Sequence, residues 1–137
     1  TYGYLEAEYK DYLADLTGDG VITDNSGLIP RNTPENTFGI TTSYTTQVGD
    51  GELKGRISYR FRDEMNSDSS NNPYGDLDSI ENLNATINYS IDNYSITIWG
   101  RNLTDEREQR WATIGGLTSR GWWNEPQTLG ITFSASY

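Results

Sequence analysis

Apolar and polar residues alternate with a period of two in six stretches of this chain. The first covers roughly residues 1–12, with Leu5, Ala7 and Tyr9 opposite Tyr4, Glu6, Glu8 and Lys10. The second, 37–46, sets Phe38, Ile40, Thr42 and Tyr44 on one face. The third, 52–62, is the most regular: Leu53, Gly55, Ile57, Tyr59 and Phe61 alternate with Lys54, Arg56, Ser58, Arg60 and Arg62. The fourth, 80–90, sets Leu83, Ala85, Ile87 and Tyr89 against Asn82, Asn84, Thr86 and Asn88. The fifth, 94–101, sets Tyr94, Ile96 and Ile98 against Ser95, Thr97, Trp99 and Arg101, and in the sixth, 128–137, every odd position is apolar or aromatic. Side chains repeating every second residue occupy opposite faces of a strand, so the pattern predicts six two-faced strands and no helix. The sixth stretch runs unbroken to Tyr137, where domains more often finish in loose polar residues, so a structural task is expected of that aromatic.

The connections fall into two kinds. Val48-Gly49-Asp50-Gly51 and Ile91-Asp92-Asn93 read as tight hairpin turns. The other three, about 16–35, 63–79 and 102–125, exceed the ~12–15 residues usual inside compact domains. In an antiparallel meander, short turns then collect at one end and long loops at the other. That asymmetry is the layout of an outer-membrane barrel.

Composition narrows the chemistry. With 34% hydrophobic residues and a net charge of -10, the chain offers no basic stripe for nucleic acid, which is excluded as a partner. It has no Cys and no His, which removes the usual nucleophile and zinc arrangements. No apolar run approaches the ~18 residues of a membrane helix. The first residue, Thr1, already belongs to an alternating stretch, and six strands are fewer than the ~8 that close a membrane barrel. Further strands are therefore expected upstream.

A β-sandwich and a membrane barrel both need one apolar face, and differ in where it points. Three features favour the barrel. The apolar face carries no charge across the middle of any stretch. Its aromatics gather near strand ends, with Tyr44, Tyr89, Tyr94 and Tyr137 toward the short turns and Tyr9, Phe38, Tyr59 and Phe61 toward the long loops. Two aromatic bands around an aliphatic middle form the girdles of a barrel. Finally, each stretch is about the 9–11 residues of a tilted membrane-spanning strand.

Two motifs then carry a family resemblance. Trp99, Arg101, Asn102, Leu103, Thr104 and Asp105 spell a W-x-R-N-L-T-D segment that resembles one near the end of TonB-dependent outer-membrane receptors. Glu125-Pro126-Gln127-Thr128-Leu129-Gly130-Ile131, followed by Phe133 and Tyr137, is similar to that family's E-P-R-T-x-G-x final strand, with Gln127 in place of its Arg. Gly3 to Tyr9 and Pro30 to Pro34 resemble upstream elements of the same region. The resemblance implies an all-β, antiparallel six-stranded meander, residues 1–137 forming the C-terminal part of a barrel of about 22 strands. The plug domain and the earlier strands would lie outside this chain. It further implies energy-coupled uptake of a ferric siderophore, cobalamin or an oligosaccharide across the bacterial outer membrane. The implied partners are lipid, the remaining strands and plug of the same receptor, and the TonB complex. Thr128, Gly130, Phe133, Ala135 and Tyr137 would form the signal read by the barrel-assembly machinery.

The residues also have readings of their own. Asn102, Thr104 and Asp105 suit capping of freed backbone groups where a strand leaves the sheet, and Gly130 suits a close approach or bend. Asp15, Thr17, Asp19, Val21 and Asp24 resemble half of a calcium loop with Gly20 at the sixth position, but Ser26 stands where a bidentate Glu belongs. A polar Gly/Asp turn is the simpler reading of these residues. Arg110, Trp111, Arg120, Trp122 and Trp123 in the last loop suit either stacking on a ligand or anchorage of a rim at the headgroup level. Glu6, Glu8, Lys10, Lys54, Arg56, Arg60, Arg62 and Arg101 are expected on the lumen side. Glu106 and Glu108 form a carboxylate pair with no pocket evident around it, so neither enzyme chemistry nor a cofactor is expected. A soluble secreted all-β binding module with an acidic calcium loop is the alternative to the receptor.

Overall fold

The computed structural model of the chain describes residues 1–115 and 118–137, with side chains described outside 110–119. Its strands are β1 (Tyr2–Tyr4), β2 (Leu13–Ala14), β3 (Thr23–Asp24), β4 (Asn36–Val48), β5 (Gly51–Arg62), β6 (Met65–Asn66), β7 (Asp76–Leu77), β8 (Ile80–Ile91), β9 (Tyr94–Arg101), β10 (Gln109–Gly115), β11 (Thr118–Trp123) and β12 (Thr128–Ala135). A 3-10 turn at Pro73–Gly75 precedes β7. No helix among the described residues is long and apolar enough to cross a membrane, which bears on helices alone.

Six strands form one antiparallel sheet in the order β1-β4-β5-β8-β9-β12. Apart from the large loops the order is sequential, as a meander requires. β4 and β5 join through Gly49-Asp50, β8 and β9 through Asp92-Asn93. Each turn opens on a positive φ, 62° at Gly49 and 49° at Asp92, the backbone twist that lets two residues connect twisted strands.

The register carries the alternation across the sheet. One row reads Tyr44, Gly55, Ile87, Ile98, Ile131; the row nearer the turns reads Thr46, Leu53, Tyr89, Ile96, Phe133. On the opposite face the corresponding rows read Ser43, Arg56, Thr86, Trp99, Gly130 and Thr45, Lys54, Asn88, Thr97, Thr132. A slip of one residue anywhere would mix the two faces.

The sheet has no second layer among the described residues. The accessible surface is 10023 Å², against about 7,200 Å² for a compact protein of this mass. Leu77 is the one large apolar side chain fully buried among them, and it lies under the long loops rather than against the sheet.

The first alternating stretch is shorter than its pattern implied. Only Tyr2–Tyr4 pair with β4, and Tyr2 stands opposite Phe38, so the even positions of β1 share the apolar face. From Leu5 onward the chain leaves the sheet. It runs beside 25–35 through Leu5 N–H to Glu35 O (2.8 Å), Tyr9 N–H to Leu28 O (2.9 Å) and Asn25 N–H to Tyr12 O (2.7 Å). Tyr9, expected on the barrel face, instead packs its ring 4.4 Å from that of Tyr12, and Glu6, Glu8 and Lys10 belong to this arm rather than to the wall. The alternation was real but local. Backbone pairing stops where β4, the partner, starts at Asn36.

Candidate functional site

Two surfaces invite a function: the apolar face of the sheet and the rim built by the long loops. On the sheet, one strand has its exposure the reverse of a soluble protein's. Along β9, Tyr94, Ile96 and Ile98 are exposed whereas Ser95, Thr97 and Trp99 are half-buried. Ile131 is 70% exposed and Ile87 53%. The half-buried polar side of β9 marks the concave face of the sheet and its exposed aliphatic side the convex one, although on β5 the concave-face Lys54, Arg56 and Arg60 are exposed as well. Cross-strand bonds knit the concave side, among them Asn88 Nδ2 to Thr97 Oγ1 (2.8 Å) and Trp99 Nε1 to Thr132 Oγ1 (3.2 Å). Gly130 is opposite Trp99, and a Cβ there would run into the indole. Its role is therefore close approach, and the indole lies across β12 to reach Thr132.

The aromatics on the convex side fall in register near the turns. Tyr94 and Phe133 stack at 6.2 Å, and the Tyr89 hydroxyl donates to Val48 O at 3.0 Å over the face of Gly51. Tyr44 stands one row higher, beside Ile87. Tyr137 lies beyond the end of β12 and is fully exposed, while Ser136 N–H still bonds Asn93 O at 2.9 Å. Phe133 belongs to this band, a place its alternation allowed but only the register assigns. Toward the loops, Phe38 and Tyr59 pair at 6.2 Å.

The rim is organised by polar side chains. Asn102, 2% exposed with φ 49°, ends β9. Its N–H reaches Asn84 Oδ1 (3.0 Å), its Nδ2 reaches both Glu106 O and Glu125 O (2.9 Å each), and its Oδ1 accepts from Thr104 (3.2 Å). Asn tolerates the left-handed backbone and bonds locally, which suits it to this corner. Gln127 Nε2 donates to Leu103 O at 3.1 Å, and its N–H meets Asp105 Oδ1 at 3.4 Å. The two sequence motifs are thus tied to each other across the base of the last loop. Asn124, which no sequence signal marked, closes the same knot: its Nδ2 donates to Glu106 O (2.6 Å) and its Oδ1 accepts from Glu108 N–H (3.1 Å).

Within that knot Glu81 N–H bonds Glu106 Oε2 at 3.2 Å, and one oxygen of Glu108 is buried without a hydrogen bond. Burial, reinforced by the facing Glu106 carboxyl, pushes Glu108 up to about 7. Above the knot β10 and β11 form a hairpin that the sequence reading left as loop. Trp122 and Trp123 are exposed at 73% and 63%, and Arg120 is exposed as well. Arg110 and Trp111 lie outside the described side chains. The loops also join one another. Asn71 Nδ2 donates to Ile29 O and Asn71 Oδ1 accepts from Ile29 N–H (2.8 Å each), Asn32 N–H reaches Asn66 O (2.8 Å), and β10 passes beside the 3-10 turn and β7.

The acidic turn is bound to its own backbone. Asp15 Oδ1 accepts from Gly18 N–H and Oδ2 from Gly20 N–H, both at 2.7 Å, and Thr17 adds a bond at 3.2 Å. The Gly20 bond above all holds Asp15 below the usual carboxylate range, and the Ser26 hydroxyl and amide do the same for Asp24. Gly18 and Gly20 take φ of 77° and 85°, a conformation that favours glycine. Among the described residues no three Asp or Glu converge as metal ligands would.

No protein-family model matches the chain, and no curated protein does. A solved structure does: the ferric yersiniabactin uptake receptor FyuA from Yersinia pestis, at TM-score 0.72 and 17% identity over 85% of this chain. The sheet shares the fold of a stretch of that receptor's β-barrel. The chain spans about a fifth of that receptor's length, 19%. The receptor fold accounts for the absent second layer: a barrel wall is one sheet thick.

Proposed function

We propose that this chain is the C-terminal stretch of the β-barrel of a TonB-dependent outer-membrane receptor. The whole protein would import a scarce nutrient, with a ferric siderophore, cobalamin or an oligosaccharide as the classes to test. The observation that carries the reading is the two-faced sheet, whose aliphatic rows are exposed on the convex side and whose polar rows line the concave side. Lipid is the solvent that rewards such a face, and water penalises it. A soluble binding module would need a layer over these rows, and the described residues provide none.

In this reading Tyr44, Tyr89, Tyr94 and Tyr137, joined by Phe133, form the girdle at the short-turn interface. Trp122 and Trp123, with Trp111, belong to the outer rim, where Arg110 and Arg120 would meet headgroups or ligand. Thr128, Gly130, Phe133, Ala135 and Tyr137 carry the assembly signal. The acidic turn acts as a self-clamped loop tip. Plug, remaining strands and the TonB complex are the partners.

The test is expression of the complete protein followed by membrane fractionation. Recovery in the outer membrane, with a shift in gel mobility on heating, is expected. Recovery as a soluble, monodisperse, cooperatively unfolding protein would sink the proposal.

A further inference from the structure

Where β8 and β9 meet the base of the last loop, the polar face of the sheet opens into a cavity of about 320 Å³ lined by Asn82, Asn84, Arg101, Trp123 and Glu125. A second cavity, of about 360 Å³, shares Asn84 and Arg101 with it and adds Thr86, Thr97 and Trp99. Three kinds of chemistry converge on the first. Trp123 offers an indole that is 63% exposed. Asn82 Oδ1 accepts from Asn84 Nδ2 at 2.6 Å and Asn84 Oδ1 from the Asn102 N–H at 3.0 Å, so both carbonyls are engaged and amide N–H donors are left over. The Arg101 guanidinium and the Glu125 carboxylate, both exposed, form no ion pair with each other or with any other described residue. Arg101 lies instead 5.2 Å from the Trp99 ring centre, a contact that steadies its charge beside the cavity.

An occupant must meet an aromatic face, a set of N–H donors and a carboxylate acceptor together. A hydroxyl both donates and accepts, so neighbouring hydroxyls on one ring can receive from Arg101 and Asn82 while giving to Glu125. The C–H face of a sugar ring is apolar and packs flat on an indole, whose own rigidity keeps the entropic cost low. Charge decides against other ligands. Arg101 and Glu125 bring opposite signs to the same cavity, so it favours neither an anion nor a cation. Of the twenty Asp and Glu in the chain, all but Glu52 and Glu81 lie outside the six-stranded sheet, and their field repels an anionic complex approaching from the loops. The volume is at the small end of the ~300–1,000 Å³ of ligand clefts, a scale that suits a single ring and not a macrocycle.

We propose that Trp123, Arg101, Asn82 and Glu125 form a subsite for one ring of a neutral oligosaccharide, with the next ring directed toward Trp99. The proposal rests on the barrel reading and narrows the imported nutrient to one class. It also separates two neighbouring indoles: Trp123 lines the cavity, and Trp122, the preceding residue of β11, does not.

The experiment applies the complete protein carrying this segment to an array of immobilised neutral oligosaccharides of bacterial, plant and algal linkages. The best-retained sugar is then titrated calorimetrically against the native protein and its variants. Expected is retention of at least one oligosaccharide, with binding about thirtyfold weaker for Trp123→Ala, the scale of an aromatic anchor. Glu125→Gln is expected to weaken it about fivefold, the scale of one hydrogen bond, and Trp122→Ala to leave it within about twofold. Retention of no sugar overturns the proposal, as do equal affinities for the native protein and Trp123→Ala, or equal losses for Trp122→Ala and Trp123→Ala. Saturable binding of ferrichrome or cyanocobalamin that Trp123→Ala abolishes also overturns it, by giving the cavity to another class. If Trp123→Ala fails to fold, judged by heat-shifted gel mobility, Trp123→Leu keeps apolar bulk without the ring face and gives the same comparison. Fractionation is scored separately. A sugar-binding protein found outside the membrane contradicts the barrel reading alone, and an outer-membrane protein that retains no sugar overturns the subsite alone.

Discussion

The wall and the rim of this protein are held by opposite means. In the wall, the paired rows of β4, β5, β8, β9 and β12 are joined by their backbones, and their large apolar side chains touch no second layer among the described residues. In the rim, burial is concentrated on polar residues: Ser67, Asn102 and Asn124 are all under 10% exposed, and Leu77 is the lone buried aliphatic among the described residues. The wall keeps its side-chain free energy in contact with its surroundings, so its stability depends on the solvent it meets. The rim bonds its buried amides internally and leaves one Glu108 oxygen buried without a hydrogen bond. Buried polar groups are costly unless bonded, so a rim of this kind has one arrangement of bonds and loses much if one member leaves.

The sharpest test of that contrast charges the wall. Ile98→Arg, in the middle of the apolar rows, is expected to cost about 2–4 kcal/mol when refolding of the complete protein into lipid vesicles is followed by denaturant titration. Thr97→Arg, one position along on the concave face, is expected to cost far less. Equal costs would break the assignment of the two faces. Next comes the rim: Asn102→Ala removes a buried side chain bonded to two carbonyls and a hydroxyl and places alanine at φ 49°. A loss of about 2–3 kcal/mol, read as faster hydrogen exchange over 102–127 while the wall stays protected, is expected.

A smaller effect follows from Glu108. Its carboxyl titrates near 7 in the folded rim and lower when the rim opens, so the closed rim holds the proton more tightly. Rim stability is therefore greatest in acid and falls as pH rises toward 7. Glu108→Gln should flatten the dependence of hydrogen exchange at the Asn124 amide across that window; an unchanged slope would remove Glu108 from the account. The smallest expected effect has the opposite sign. Asp15 is held low, so its grip on the Gly18 and Gly20 amides is present at neutral pH and lost only below the ordinary carboxylate range. Asp15→Ala should speed exchange of those two amides at neutral pH and leave the sheet untouched.

The alternation was legible wherever a strand has strand neighbours along its length. Leu53 to Phe61 and Leu83 to Tyr89 fall on the faces their parity implies. It misled at Leu5 to Tyr9, because period two reports extended backbone and not pairing; the arm there is extended and stands off the sheet. The hairpin of β10 and β11 was missed because Arg110 to Trp123 has no regular alternation, and its register shifts between Gln109 and Trp111. Of the rim, Asn102 was readable as a cap from its motif. Asn124 was not, since its partners Glu106 and Glu108 lie sixteen and more positions away; those two stood out as a carboxylate pair, but the burial that raises Glu108 did not.

By itself the sequence determined two-faced strands, tight turns at one end and long loops at the other, because side-chain parity and turn chemistry are properties of neighbouring residues. Which face is convex, which aromatics share a row, and which loop residues become buried were decided only in the tertiary structure. Register, curvature and burial depend on residues far apart in the chain meeting in space, and no local pattern encodes that meeting.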